Sequence, residues 1–202
     1  MEHVHDPPAE MRLYDRAHQR LYINADERRR FLRATLKRPL KVRCFCLILL
    51  YTGCRISEAL VLTAEDIQPA TRVITFRTLK RRNPHKYREV PVPPSLVELF
   101  ARGFDLEQSV AKCPLWQNDG QPLNRSTAYR WVKSVMAEAK ISGAQACPKG
   151  LRHGYGIHAI RSGVQLNMLQ KWMGHASMST TAIYANAIGA EELAIADRMW
   201  AD

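Results

Sequence analysis

No stretch of this 202-residue chain is long and apolar enough to cross a bilayer. The longest uninterrupted apolar run is Cys44 to Tyr51, far short of the roughly twenty residues that a spanning helix needs. The opening MEHVHDPPAE contains acids and prolines and lacks the shape of a signal peptide. The expected setting is cytosolic, with no membrane partner. No internal repeat and no low-complexity linker interrupts the chain, so one domain is the default at this length. Five cysteines (Cys44, Cys46, Cys54, Cys113, Cys147) form an odd, scattered set. No CxxC pair occurs, and the Cys44–Cys46 spacing suits neither a redox dithiol nor a zinc knuckle, so reduced and mostly buried thiols are expected. Acidic charge is also scarce. With 30 Lys+Arg against 19 Asp+Glu, the formal charge is +11 and the pI about 9.7, a field that favours a polyanion, with nucleic acid the leading partner.

What is present is mostly helical periodicity. Residues 1–22 carry His, Pro and charge without a sustained pattern and are expected to form a flexible arm. Asn24 followed by Glu27 reads as a capping box that starts a helix running to about Lys37, before Pro39. VRCFCLILLY is apolar nearly all round and belongs inside the core. It stops at Thr52-Gly53, where glycine can take the left-handed conformation. A new helix then begins near Arg55, with Ile56, Ala59, Leu60 and Leu62 inward.

RVITFR and YREVPVP read as strands joined by the basic turn TLKRRNPHK, a hairpin with Lys80 at the edge of its tip. Ala128, Trp131, Val132, Val135, Met136 and Ala139 keep helical spacing between Asn124 and Ile141. A helix from about Leu151 to Ser162 follows, then one carrying Leu166, Leu169 and Met173 that Gly174 ends. Ser179 is expected to cap the helix holding Tyr184, and a last helix spans Glu191 to Trp200. The fold class expected is mainly α with a small antiparallel β-sheet.

Four stretches gather chemistry: TGCRISEAL around Arg55, TLKRRNPHKYREVPVP around Lys80, PKGLRHGYGIH around Lys149 and Arg152, and WMGHASMSTTAIYA around His175 and Tyr184. Together, from about Asn24 to Ala187, they resemble the tyrosine recombinase (phage-integrase) family, with the order Arg, Lys, Lys, Arg, His, Tyr complete. The resemblance implies cleavage of one DNA strand by the Tyr184 hydroxyl. The DNA 3′ end is held as a phosphotyrosine and resealed by a 5′ hydroxyl from another duplex, typically for a mobile element, phage or plasmid. It implies no metal or nucleotide cofactor, double-stranded DNA as partner and a homotetramer on that DNA. The alternative is a non-cleaving DNA-binding accessory factor of the same fold; a type IB topoisomerase ranks lower, because the GH…Y signature looks more like the recombinases.

The residue chemistry fits. Phosphodiester cleavage spreads negative charge over non-bridging oxygens, and planar guanidinium groups match that geometry, which makes Arg55 and Arg152 the clamp. The leaving 5′ oxygen needs a proton, for which Lys80 is the general acid, with Lys86 its substitute; Arg81 and Arg82 nearby would ease the proton's loss. Tyr184 needs help to lose its own proton, and His175 and Lys149 share proton handling and phosphate contact. Lys149 stands where the family usually has His. His153 and His158 read as structural helix residues.

The family commonly carries a separate helical domain in front, so this chain is expected to be the catalytic half: residues 23–188 the breaking and rejoining domain, and 189–202 a helix that docks on a neighbouring protomer.

Overall fold

The computed structural model describes residues 12–78, 87–104, 106, 113–186, 193, 196, 197 and 200. The expected tip of the hairpin with Lys80, Arg81, Arg82 and Lys86, and most of the expected C-terminal helix, lie outside the described residues.

The first three helices end where local backbone rules say they end. Helix α1 spans Ala25–Thr35, and the Asn24 side chain accepts from Glu27 N while the Glu27 carboxylate accepts from Asn24 N, a reciprocal capping box. Helix α2, Leu40–Thr52, is apolar on every side and touches α1 and the helices that follow. It stops at Gly53, whose φ of 60° and ψ of 18° are left-handed. Helix α3 is a single short run, Ile56–Leu60, that buries Ile56 and Ala59.

A three-stranded antiparallel sheet follows: β1 (Ile67–Gln68), β2 (Val73–Arg77) and β3 (Tyr87–Pro91) in that order. Along β2 and β3 buried and exposed residues alternate, so Ile74, Phe76, Arg88 and Val90 share the inner face. Four elements went unread in the sequence: β1, the two-residue strands β4 (Gln117–Asn118) and β5 (Gln121–Pro122), and helix α4, Pro94–Gly103, which opens on a proline and buries Leu96, Leu99 and Phe100. Around α2, Phe45 meets Trp116 edge-on at 5.1 Å, and Trp116 Nε1 donates to Ala59 O.

Helix α5, Arg125–Glu138, is capped by Asn124. Helix α6, Pro148–Arg161, starts three residues before the expected Leu151 and is buried along most of its length. Proline at its first position suits a place where no N–H is needed, and Lys149 therefore sits in a helical turn rather than in a loop. Helix α7, Leu166–Met173, ends at Gly174, φ 65°. Helix α8, Met178–Ala182, is capped by Ser177 instead of the expected Ser179, because the Ser177 hydroxyl accepts from Ser179 N at 3.2 Å. Tyr184 lies beyond α8 in a 3-10 turn, Ile183–Asn186.

Two apolar clusters result. The larger gathers α1 to α5 and the sheet. The smaller joins Tyr155, Ile157 and Ala159 of α6 to Leu169 and Met173 of α7, to Tyr184, and to Leu13 and Tyr22. The described part of the segment expected as a flexible arm is therefore packed: Tyr14 bridges Arg20 across a small loop, and Leu13 and Tyr22 are buried. Glu27 ties this segment to the front of α6 by accepting from Arg20 and, at 3.1 Å, from Gln145 Nε2. Cys44, Cys46 and Cys54 are buried free thiols that burial pushes up to about 12, whereas Cys113 is exposed and Cys147 half-buried. Among the described residues no helix is long and apolar enough to cross a membrane.

Candidate active site

Where α2 breaks at Gly53, the chain turns into α3 and leaves Arg55 at the corner. Its backbone N–H donates to Glu58 Oε2 at 2.8 Å and its Nη1 to Glu58 Oε1 at 3.1 Å. The Arg55 side chain keeps 38% of its surface exposed, whereas that of Glu58 keeps 3%. A second guanidinium, Arg88 on β3, grips the same carboxylate: Nη2 to Oε2 at 2.7 Å and Nη1 to Oε1 at 3.2 Å. Burial pushes the Glu58 carboxyl up, but the charge and hydrogen bonds of Arg88, helped by the N–H and charge of Arg55, outweigh it and hold it below the usual range.

Arg152 comes from the second turn of α6 and is buried at 8% exposure. Its Nη1 donates to Gly53 O at 2.6 Å and its Nη2 to Met173 O at 2.9 Å. These carbonyls close the C-terminal ends of α2 and α7, where the helix dipoles are negative, so the fold itself holds the cation. Burial, then the nearby Arg55 charge, lowers its pKa to about 10, which still leaves it charged at neutral pH.

Arg55, Lys149, Arg152 and His153 line one cavity of about 480 Å³, together with Arg125 and Tyr129 of α5. Three of the expected residues thus meet in one concave, cationic place. The other two described ones stand behind its wall. His175, just past Gly174, shares its Nδ1 with Thr181 Oγ1 at 2.9 Å. Burial, then the charges of Arg152 and Arg55, depresses its pKa to about 3. Tyr184 has no exposed surface, and its ring lies nearly parallel to that of His175, with centroids 6.2 Å apart. Burial pushes the phenol up to about 12 against the opposing pull of Arg152 and Arg55.

His153, expected as a structural helix residue, is buried in α6 and makes two further contacts. Its Nδ1 is hydrogen-bonded to the Tyr184 hydroxyl at 3.1 Å, while the residue also lines the cavity. It is therefore the link between the phenol and the cationic pocket. Burial, then Lys149 and Arg152, lowers its pKa to about 3. Both His153 Nε2 and His175 Nε2 are buried with no hydrogen-bond partner among the described residues. His158, by contrast, is exposed. Arg125 and Tyr129 were also missed; their i, i+4 spacing after the Asn124 cap put them on one face of α5, the only signal available. Among the described residues no group of three or more His, Cys, Asp or Glu is placed to hold a metal ion.

A tyrosine recombinase of Thermosipho africanus is 32% identical over 145 residues, covering 72% of this chain and 49% of that protein. The chain spans about half the length of the curated relatives it matches. Among solved structures, that of XerA recombinase aligns with a TM-score of 0.78 at 23% identity, over 92% of this chain and 67% of that one. The XerH site-specific recombinase bound to its difH substrate, a pre-cleavage complex, gives 0.73 at 20% identity, over 93% and 60%. At these identities the two structures speak for the fold. The phage integrase family matches residues 21–190, and with so much of its length inside that match, the chain belongs to this family.

Proposed function

We propose that this chain is the DNA-cleaving and rejoining part of a site-specific recombinase. One observation carries the reading: Arg55, Lys149 and Arg152 converge on one cavity whose wall, His153, holds the Tyr184 hydroxyl. A phosphodiester entering that cavity meets three cations, two of them guanidiniums suited to its non-bridging oxygens.

The Tyr184 oxygen attacks phosphorus, a P–O bond to the phenol forms, and the P–O5′ bond breaks. The phenol proton leaves through His175 or Lys149, and Lys80 supplies the proton that the departing 5′ oxygen takes up. The 3′-phosphotyrosine keeps the bond energy until a 5′ hydroxyl of another duplex reverses the step. Tyr184 has to leave its buried seat first, so binding of DNA and release of the phenol are coupled. The partner is double-stranded DNA, engaged by a homotetramer, in the service of a mobile element, phage or plasmid.

The buried phenol favours one competing reading, a DNA-binding accessory factor that does not cut. Incubating a library of nicked suicide duplexes with wild type and Tyr184→Phe separates the two. A covalent adduct that forms with wild type and vanishes in the variant supports cleavage. Salt-sensitive binding without any adduct, or equal trapping by both proteins, overturns it.

A further inference from the structure

Arg88 lies inside one of the four stretches that carry the family resemblance but has no role assigned there, and it is tied to several parts of the site. Its Nη1 and Nη2 take both oxygens of Glu58, its Nε donates to Trp172 O at 2.8 Å, and its guanidinium lies 5.1 Å over the Phe76 ring across the ladder. Trp172 is in the last turn of α7, two residues before the Gly174 that leads into His175. A Cβ at Gly174 would sit 3.0 Å from Arg88 Nη1, so the backbone there is pressed onto this guanidinium. One buried side chain of β3 thereby touches the partner of Arg55 and the segment that presents His175.

Charge counting says what this does. Arg55, Glu58 and Arg88 together carry a net single positive charge. The Arg88 and Glu58 side chains are 5% and 3% exposed, so their charges are shielded from water, whereas Arg55 faces the cavity. With Arg88 present, the carboxylate is neutralised from behind, and the charge of Arg55 remains for an incoming anion. With Arg88 removed, the same carboxylate has only Arg55 to pair with, and Arg55 is spent inside the protein.

We propose that Arg88 is a positioning residue for strand cleavage: by sharing the Glu58 carboxylate with Arg55 it leaves the trio's net positive charge at the cavity, on Arg55, for the scissile phosphate. This rests on the recombinase reading above, and its test has one arm that does not.

The first arm is binding. The dependence of duplex DNA affinity on salt is measured for wild type, Arg88→Met and the double variant Arg88→Met/Glu58→Gln, each checked for folding by thermal melting. Arg88→Met is expected to flatten the slope by roughly the value of one phosphate contact, about 0.9. The double variant, with the buried carboxylate neutral, is expected to restore it. The second arm is adduct formation on the nicked duplex that wild type cleaves fastest. There Arg88→Met is expected to lose about a hundredfold. A neutral methylphosphonate at the scissile position should remove most of that deficit, because an uncharged phosphorus centre no longer needs the cation.

An unchanged salt slope in a folded Arg88→Met protein overturns the inference whether or not any DNA is cut. So does a loss that Glu58→Gln fails to relieve, or one equal on charged and neutral phosphates, since either marks a scaffold role alone. A wild type that cleaves nothing sinks the recombinase reading and leaves the salt-slope arm standing.

Discussion

Arg152 stands on α6 and Tyr184 packs against it, and both are buried, yet they are held in different ways. The guanidinium is pinned by carbonyls at the ends of two different helices, Gly53 O and Met173 O. Its neighbour Arg55 is tied by a carboxylate that is itself gripped from the sheet. The phenol has one hydrogen bond, to His153, and otherwise lies among apolar side chains at the end of a five-residue helix. The cationic wall is assembled before any ligand arrives, which spares the reorganisation that electrostatic catalysis would otherwise require. The tyrosine seat is made of contacts that can be given up one by one.

The largest expected effect comes from breaking the wall. Arg152→Ala removes the partner of two buried helix-end carbonyls, and each unpaired group costs about 1–3 kcal/mol. A fall of about 2–4 kcal/mol in unfolding free energy is expected by urea titration, with strand cleavage down by at least about a hundredfold. Tyr184→Phe leaves one buried group, His153 Nδ1, unpaired instead of two, and is expected to cost about 1–2 kcal/mol in the same assay while abolishing the adduct. Equal stability losses in the two variants would erase the contrast between wall and seat.

Acid attacks both regions through their histidines. His153 and His175 fall from 6.5 to about 3 in the folded protein. Below pH 6.5 the unfolded chain therefore binds protons that the folded chain refuses, and stability drops as pH falls toward 3. Each histidine contributes at most about 1.4 kcal/mol per pH unit. Between pH 6.5 and 4.5 His158, lowered by burial to about 4, adds a loss of its own, whereas Glu27 and Glu58, held below their usual 4.5, add theirs only at lower pH. Urea midpoints across that window are expected to be flatter in His153→Gln and in His175→Gln than in wild type. An unchanged slope in both would mean that these imidazoles are hydrated.

How legible the site was in the sequence follows the same division. The wall could be read because its anchors obey local rules: the Asn24–Glu27 box and the helix-ending Gly53 and Gly174 are decided by a few neighbouring residues. Arg55 and Arg152 stand beside such anchors, inside recognisable motifs. Arg88 was invisible, since its role is fixed by a carboxylate 30 residues earlier and a carbonyl 84 residues later. In the sequence it is one more cation after a basic turn. The contact of His153 with Tyr184 could not be read for a similar reason, its partner lying 31 residues away. The missed α4 did carry a signal, a proline at its start ahead of Leu96, Leu99 and Phe100 at helical spacing. The shift of the cap from Ser179 to Ser177 falls within a run of hydroxyl residues of similar capping ability.

The finest cut at the seat is Gly156→Ala. A Cβ at Gly156 would lie 2.6 Å from ring carbons of Tyr184, closer than any real contact, so the ring has to shift. Overpacking of this kind costs about 1–3 kcal/mol, partly offset by the better helix propensity of alanine, about 1 kcal/mol. In a Tyr184→Ala background the clash is gone and only the propensity gain remains, so the double-mutant cycle is expected to show a coupling of about 1–3 kcal/mol. Function sharpens the point. If the seat stores the phenol until DNA binds, loosening it favours release, and Gly156→Ala at saturating DNA forms adduct faster, by up to about tenfold for each 1.4 kcal/mol of seat lost. A slower reaction in a fully folded Gly156→Ala protein would show instead that the phenol reacts from where it already lies, and that seat and wall form one rigid site.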